Sequence, residues 1–246
     1  MTGQSLDGLR ALVTGASGGI GGETARLLAA RGAFVSVHFN SNRKDANTLV
    51  EEIGQSGGQA NAVGGDVVSD AAELVAQAAG EPGRIDILVN GAGSLQNLPF
   101  GSITEEAFEE QFRTNVLGMI MISQEAAPYF PETGGQIVNI STNLSYDPIP
   151  GTAVYSAAKS ALITLTHGFA RELGAKGITV NAVAPGATDT AMLDWVPEEV
   201  RAGIAEATPL GRIGQPRDIA EIIAFLASPA SRWINGRTIV ADGGLV

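Results

Sequence analysis

Leu9-Arg10-Ala11-Leu12-Val13 runs directly into Thr14-Gly15-Ala16-Ser17-Gly18-Gly19-Ile20-Gly21, and a helical stretch, Gly19–Arg31, follows at once. Strand, glycine loop and helix start in this order form a receptor for a pyrophosphate. Glycines let the backbone take positive φ and approach a ligand closely, while the free N–H groups and dipole of the helix start favour negative charge. A tight turn without a ligand can carry the same glycines, so the context decides.

That context is a repeating alternation. Short apolar runs at Leu9–Val13, Ala33–Phe39, Gln59–Val63, Ile85–Val89, Gln136–Ile140, Ile178–Val183 and Arg237–Val240 read as strands. Between them, Gly19–Arg31, Arg43–Gln55, Asp70–Ala79, Glu105–Ala127, Val154–Gly174 and Pro216–Ala227 read as helices. The strands are continuously apolar more often than alternating, as a parallel sheet covered on both faces requires. The expected architecture is a Rossmann-like, doubly wound three-layer α/β/α sandwich around a seven-stranded parallel sheet. Right-handed crossovers put all strand C-terminal ends on one edge, where ligands bind. No repeat, linker or low-complexity tract interrupts residues 1–246, so one domain is expected, with a mobile lid at about 187–209.

Composition narrows the chemistry. The chain has no Cys and two His, which excludes thiolate catalysis and argues against a zinc site. Its net charge of −11 repels nucleic acid and anionic membranes, and no basic patch offsets it. No apolar run is long enough to cross a bilayer and the start resembles no secretion signal, so a soluble cytoplasmic protein acting on small molecules is expected.

Tyr155-Ser156-Ala157-Ala158-Lys159 places a phenol and an ammonium one helical turn apart. A positive charge roughly 5 Å from the hydroxyl, at an effective dielectric of about 20, favours phenolate by about 3 kcal/mol. That is enough to lower the phenol's pKa by about two. The pair reads as a proton-transfer device, with a shared exposed helix face as the plainer alternative.

The glycine pattern Thr-Gly-x-x-x-Gly-x-Gly, together with Tyr-x-x-x-Lys, resembles the short-chain dehydrogenase/reductase family. The resemblance extends along nearly the whole chain. Asp66-Val67 is similar to the family's adenine-binding site, and Asn90-Gly91-Ala92-Gly93 to its Asn-Asn-Ala-Gly motif with one substitution. Pro185-Gly186, Thr188 and Thr190 match the segment that approaches the nicotinamide carboxamide, and Leu210-Gly211-Arg212 to Asp242-Gly243-Gly244 the C-terminal signature. Trp233-Ile234-Asn235-Gly236 replaces the commoner Tyr-Ile-Thr-Gly. The resemblance assigns Gly15, Ser17, Gly18, Gly19, Ile20, Gly21, Asp66, Val67, Asn90, Gly91, Ala92, Tyr155, Lys159, Pro185, Gly186, Thr188 and Thr190 to the cofactor.

It also fills the catalytic set. The family's Ser precedes the Tyr by thirteen residues, a position held here by Thr142, with Ser141 one residue earlier. Neighbouring residues at a strand end point to opposite sides, and the count favours Thr142. Asn115 matches a helix Asn that in relatives holds a water linking the Lys to solvent.

The end of the second strand, where an acid would hold the ribose of NAD, carries none. It reads His38-Phe39-Asn40-Ser41-Asn42-Arg43-Lys44, and Asn40, Ser41, Asn42 and Arg43 are candidates for a 2′-phosphate. Ser41 or Asn42 would equally serve as a helix cap. NADP(H) is favoured and NAD(H) remains open, since Gly18 stands where many NADP-binding relatives carry a basic residue. His38 is expected to pack against the adenosine side or the strand edge.

The resemblance implies hydride transfer between a nicotinamide and a carbonyl or alcohol, with Tyr155 as general acid/base, in a homotetramer. A cofactor-binding regulatory protein without turnover and a 3-ketoacyl reductase are the alternatives. Leu95, Leu98, Phe100, Leu144, Tyr146, Ile149, Met192, Leu193 and Trp195, in the loops 94–101, 143–151 and 187–209, suggest a largely apolar substrate pocket.

Overall fold

The structure, a computed structural model, describes residues 5–194 and 196–246. Trp195 therefore lies outside the described residues. Among these, seven strands form one sheet: β1 (Arg10–Thr14), β2 (Phe34–Phe39), β3 (Gln59–Gly64), β4 (Ile87–Asn90), β5 (Gly135–Ile140), β6 (Ile178–Pro185) and β7 (Thr238–Ala241). Their order is β3-β2-β1-β4-β5-β6-β7 and every neighbouring pair is parallel. The connection reverses direction between β1 and β4, which opens a crevice at their C-terminal ends.

The central strands are largely apolar because successive residues enter two different cores. On β1 and β4, Ala11, Val13, Ile87 and Val89 face one side, packed with Leu28, Leu49, Ile219 and Ile223. Those partners come from α1 (Gly19–Ala30), α2 (Arg43–Gln55) and, near the chain end, the helix Pro216–Leu226. Leu12 and Leu88 face the other side, among Leu74, Val75, Ile122 and Ala170. These belong to α3 (Ala71–Ala79) and to two later helices, α5 (Gly118–Ala126) and α6 (Ala153–Leu173).

The segment Glu105–Ala127, expected as one helix, is broken. It comprises α4 (Glu105–Phe112), a π-helical turn over Arg113–Leu117, and then α5. Such widened turns cluster at functional positions, and this one carries Asn115. A second difference concerns the lid, which holds α7 (Glu198–Ala207) before the last helix, α8 (Pro216–Leu226). α7 is short, ten residues, and none of them is buried. Good helix formers and two acids in the first turn support it locally.

Two residues of the C-terminal signature have structural duties. Arg212 forms a bidentate pair with Asp218, which completes the capping box of α8 with Gln215. Asn235 accepts from Val180 N and donates to Ala170 O, tying β6 to α6.

Candidate active site

The C-terminal ends of β1, β4, β5 and β6 converge on the crevice, and the glycine loop is shaped by contacts there. Gly15 has φ +67°, and a Cβ on it would stand 2.8 Å from the Ala92 backbone. A Cβ on Gly21 would stand 2.4 Å from the Gly15 carbonyl oxygen. Only glycine fits either place, and the result is a bare backbone cradle at the N-terminus of α1. Thr190, from the loop after β6, brings its methyl to 3.3 Å from where a Gly19 Cβ would be. This cradle fits a dinucleotide pyrophosphate. Thr14 links it to the next loop, since its Oγ1 accepts from Gly91 N at 3.0 Å and Ala92 N at 3.1 Å.

Around the cradle the expected residues divide. Ser17, Gly18 and Ile20 lie on the loop or first helical turn, and Gly18 faces open space. Asn40, Ser41 and Arg43 are exposed at the β2 end, with the Arg43 guanidinium 5.1 Å above the Phe39 ring. Asn42 is turned elsewhere. Its Oδ1 accepts from Asp45 N and its amide donates to the Asp45 carboxylate, so its side chain caps α2 instead of reaching for a phosphate.

Asp66 is also committed. Arg113 holds both of its carboxylate oxygens at 3.0 Å, and Val68 N and Ser69 N donate to Oδ1 at 2.9 Å. The Arg113 guanidinium and these amides hold its carboxyl well below the usual carboxylate range. Adenine would have to share an acceptor already engaged by Arg113. Val67 is buried beneath Gly118, leaving only its backbone for a ligand. Asn90 likewise turns inward, donating to Asn139 Oδ1 at 2.8 Å and Ser123 Oγ at 3.0 Å. Each of these side chains faces a stronger local partner than the motif suggests.

Beyond the cradle, Pro185 closes β6 and Gly186 packs so tightly on Asp242 that a Cβ would approach its side chain to 2.6 Å. Thr188 Oγ1 donates to Gly186 O at 3.0 Å, and Thr190 Oγ1 to Thr188 O at 3.3 Å.

Tyr155 and Lys159 both face inward from α6. Lys159 Nζ donates to Ile140 O at 2.9 Å, at the end of β5, and lies 5.9 Å from the Tyr155 ring centroid. The ammonium therefore sits under the ring. Burial pushes the Tyr155 phenol up to about 12 and Lys159 down to about 8. The lowered phenol pKa expected from helical spacing is thus reversed, because loss of solvent disfavours both charged forms. At neutral pH Tyr155 is a phenol with a proton to give.

Ser141 and Thr142 point apart as strand geometry requires. Ser141 Oγ donates to the Lys159 carbonyl at 2.9 Å, whereas Thr142 Oγ1 accepts only a long bond from Leu144 N at 3.3 Å. Asn115 is a latch: its Nδ2 donates to Ser94 O and Gln111 O, both at 2.9 Å, while its Oδ1 accepts from Ser94 N at 3.3 Å. These bonds occupy the side chain expected to hold a water. Its Oδ1 nevertheless faces Lys159 across Gly93, whose added Cβ would lie 2.7 Å from that oxygen and 3.1 Å from Nζ.

Sequence reasoning missed the structural roles of Thr14, Arg113 and His38, whose ring bonds both Gly15 N and Gly65 O. It also missed Ser94, whose buried hydroxyl has no partner among the described residues. Only the sheet topology brings these groups to the crevice.

The family model described as enoyl-(acyl carrier protein) reductase matches residues 15–246. An uncharacterized oxidoreductase of Methylorubrum extorquens is 42% identical, over 98% of this chain and 98% of its own length. The hydroxynaphthalene reductase-like protein Arp2 of Metarhizium robertsii is 39% identical, over 100% of this chain and 97% of that protein. A Sinorhizobium meliloti dehydrogenase/reductase superposes with a TM-score of 0.94 at 37% identity, covering 99% of this chain and 97% of that one. The angucycline C-6 ketoreductase LanV, with bound NADP, gives 0.92 at 35% identity, covering 98% and 96%. With a matching family model and relatives this similar along its length, the chain belongs to the short-chain dehydrogenase/reductase family of oxidoreductases.

Proposed function

We propose that the chain is an NADP(H)-dependent carbonyl reductase, working through Tyr155, on small ketones with an apolar, ring-bearing body. The observation that carries this reading is the buried Tyr155 beside Lys159, protonated at neutral pH and facing the same crevice as the glycine cradle. The cofactor, when bound, supplies or accepts hydride. Gly15, Gly19 and Gly21 would hold its pyrophosphate, and Asn40, Ser41 and Arg43 its 2′-phosphate.

In the reductive direction Tyr155 Oη gives its proton to the substrate oxygen as charge develops there, and Thr142 Oγ1 donates a hydrogen bond to that oxygen. Lys159 stabilises the resulting phenolate by its charge, and Asn115 keeps the Ser94 loop against it. In oxidation the phenolate takes the alcohol proton. A threonine in place of serine retains the hydroxyl and adds a methyl that restricts χ1.

Tyr146, Ile149 and Met192 expose apolar surface on the loops after β5 and β6, which suits a flat, apolar substrate. The names of Arp2 and LanV point to the same class. An acyl-carrier substrate is disfavoured. The loops 94–101 and 143–151 contain no Lys or Arg, and Arg201 in the lid is paired with Asp189 and Asp194.

The test is loss of NADPH absorbance across a panel of tetralones, naphthoquinones and aliphatic ketones, with NADH in parallel. Tyr155→Phe should lower turnover about a hundredfold or more while leaving NADPH affinity nearly intact. NADPH binding without oxidation of any panel member would instead favour a regulatory binding protein.

We further infer a homotetramer. Trp233 is 98% exposed beside the edge strand β7, and Phe108 and Leu117 are exposed on the α4–α5 segment. An unpaired strand edge with an exposed indole is a surface suited to a second copy. Sedimentation of the wild type and of Trp233→Glu would decide.

A further inference from the structure

A single imidazole joins two turns at the cofactor edge. His38, on β2, is 2% exposed. Gly15 N–H donates to its Nδ1 at 3.0 Å, and its Nε2 lies 2.9 Å from Gly65 O. A backbone amide only donates and a carbonyl only accepts. Nδ1 must therefore carry the lone pair and Nε2 the proton, which fixes the ring as the neutral Nε2–H tautomer.

Its two partners are not ordinary chain positions. Gly15 is the first glycine of the cradle, at φ +67° and pressed against Ala92. Gly65 begins the turn that leads to Asp66. The main chain of His38 adds a third tie, since Ala16 N donates to His38 O at 3.0 Å. The ring thus sets the direction of the Gly15 peptide from below, while Ala92 limits it from above.

We propose that His38 is a positioning residue whose neutral ring holds the glycine loop in its dinucleotide-binding shape, so that protonation of the ring weakens cofactor binding. A protonated ring presents an N–H to the Gly15 N–H, two donors face to face, and the loop must give way. Proton uptake and cofactor binding then oppose one another, each reducing the affinity for the other. The surroundings set the direction: burial holds the ring below its ordinary value, while the Gly65 bond and the Asp66 charge act the other way. The charged groups nearby are Asp66, neutralised by Arg113; Asp70, which accepts from Asp66 N; and Arg43, over the neighbouring Phe39. The weakening therefore falls on the acid side of the ordinary imidazole range.

The proposal rests on the cofactor reading above, and the test separates the two. NADPH dissociation constants are measured by fluorescence, without turnover, for wild type, His38→Asn and His38→Leu between about pH 8 and pH 5. Asn keeps an acceptor at the Nδ1 position but does not titrate; Leu keeps volume and removes the acceptor. Wild type should weaken towards acid more than His38→Asn does. His38→Leu should bind about tenfold more weakly than wild type even at pH 8. Titration of the cofactor's own phosphate is common to all three proteins and cancels in the comparison. Coincident pH profiles for wild type and His38→Asn overturn the proposal, as does wild-type affinity in a folded His38→Leu. If the Leu variant does not fold, the Asn comparison decides alone. Absence of NADPH binding by the wild type at pH 8 overturns the cofactor reading itself, and the proposal with it.

Discussion

The Ser141 hydroxyl donates to the backbone carbonyl of Lys159 at 2.9 Å, which ties the end of β5 to the middle of α6. This bond engages the Ser141 hydroxyl, whereas Thr142 Oγ1, which accepts only a long bond from Leu144 N, is the hydroxyl proposed to act on the substrate. Thr142→Val should therefore lower kcat far more than Ser141→Ala, while Ser141→Ala should lower the melting temperature through loss of a buried bond worth about 1 kcal/mol. Steady-state kinetics with thermal melts of both variants checks this. A larger kcat loss in Ser141→Ala would reassign the hydroxyl.

The two buried pKa shifts give a pH prediction. Reduction needs the Tyr155 proton, which is retained to about 12, and the Lys159 charge, which is lost through about 8. As pH rises through that lower value, the ammonium that stabilises the phenolate disappears. At saturating NADPH, kcat/KM for ketone reduction, which reports the enzyme before the ketone binds, should therefore be flat below about pH 8 and fall above it. A limb first appearing near the ordinary lysine value would show that Lys159 is better solvated than its burial implies.

Gly18 has no steric reason to be glycine. Its φ of 178° is extended backbone, and a Cβ there would meet nothing within 4 Å. It borders an open cleft of about 210 Å³ shared with Ser17, Arg26 and Asp45. Gly18→Arg should lower the KM for NADPH several-fold and leave that for NADH nearly unchanged, because a guanidinium there adds a charge-assisted contact to a 2′-phosphate. Equal effects on both cofactors would place the 2′-phosphate elsewhere.

A Cβ on Gly93 would stand 2.7 Å from Asn115 Oδ1 and 3.1 Å from Lys159 Nζ. Gly93→Ala should cut kcat by about tenfold or more, with a smaller change in NADPH affinity, because a 1 Å displacement of catalytic groups carries that cost. Single-turnover rates together with NADPH titration check the split. Unchanged turnover would mean that the Asn115–Lys159 arrangement is not needed for the chemistry.

Much of the molecule was legible before folding was considered. The positions of the seven strands, though not their exact ends, follow from apolar runs, because burial of the central strands on both faces leaves little room for alternation. The bounds of α2, Arg43–Gln55, are legible in sequence, since its Asn42 cap and its apolar spacing are local. By contrast, α7 escaped because its ten residues fall within the stretch expected as a lid loop, and the break at Arg113–Leu117 escaped because a π-helical turn has no distinct composition.

The site divides in the same way. Tyr155, Lys159 and the glycine loop are encoded by spacing within one helix or one loop, so their order along the chain is enough to find them. What occupies each hydrogen-bonding group is decided between segments far apart in sequence: Arg113 on Asp66, Asn139 on Asn90, Gly15 and Gly65 on His38. The sequence alone determined the parallel sheet, the cradle and the Tyr155–Lys159 pair, because local periodicity and glycine placement carry them. Only the tertiary structure decided the protonation of that pair and the partners of the polar groups around it, because desolvation and hydrogen-bond competition exist only once the strands and loops have met.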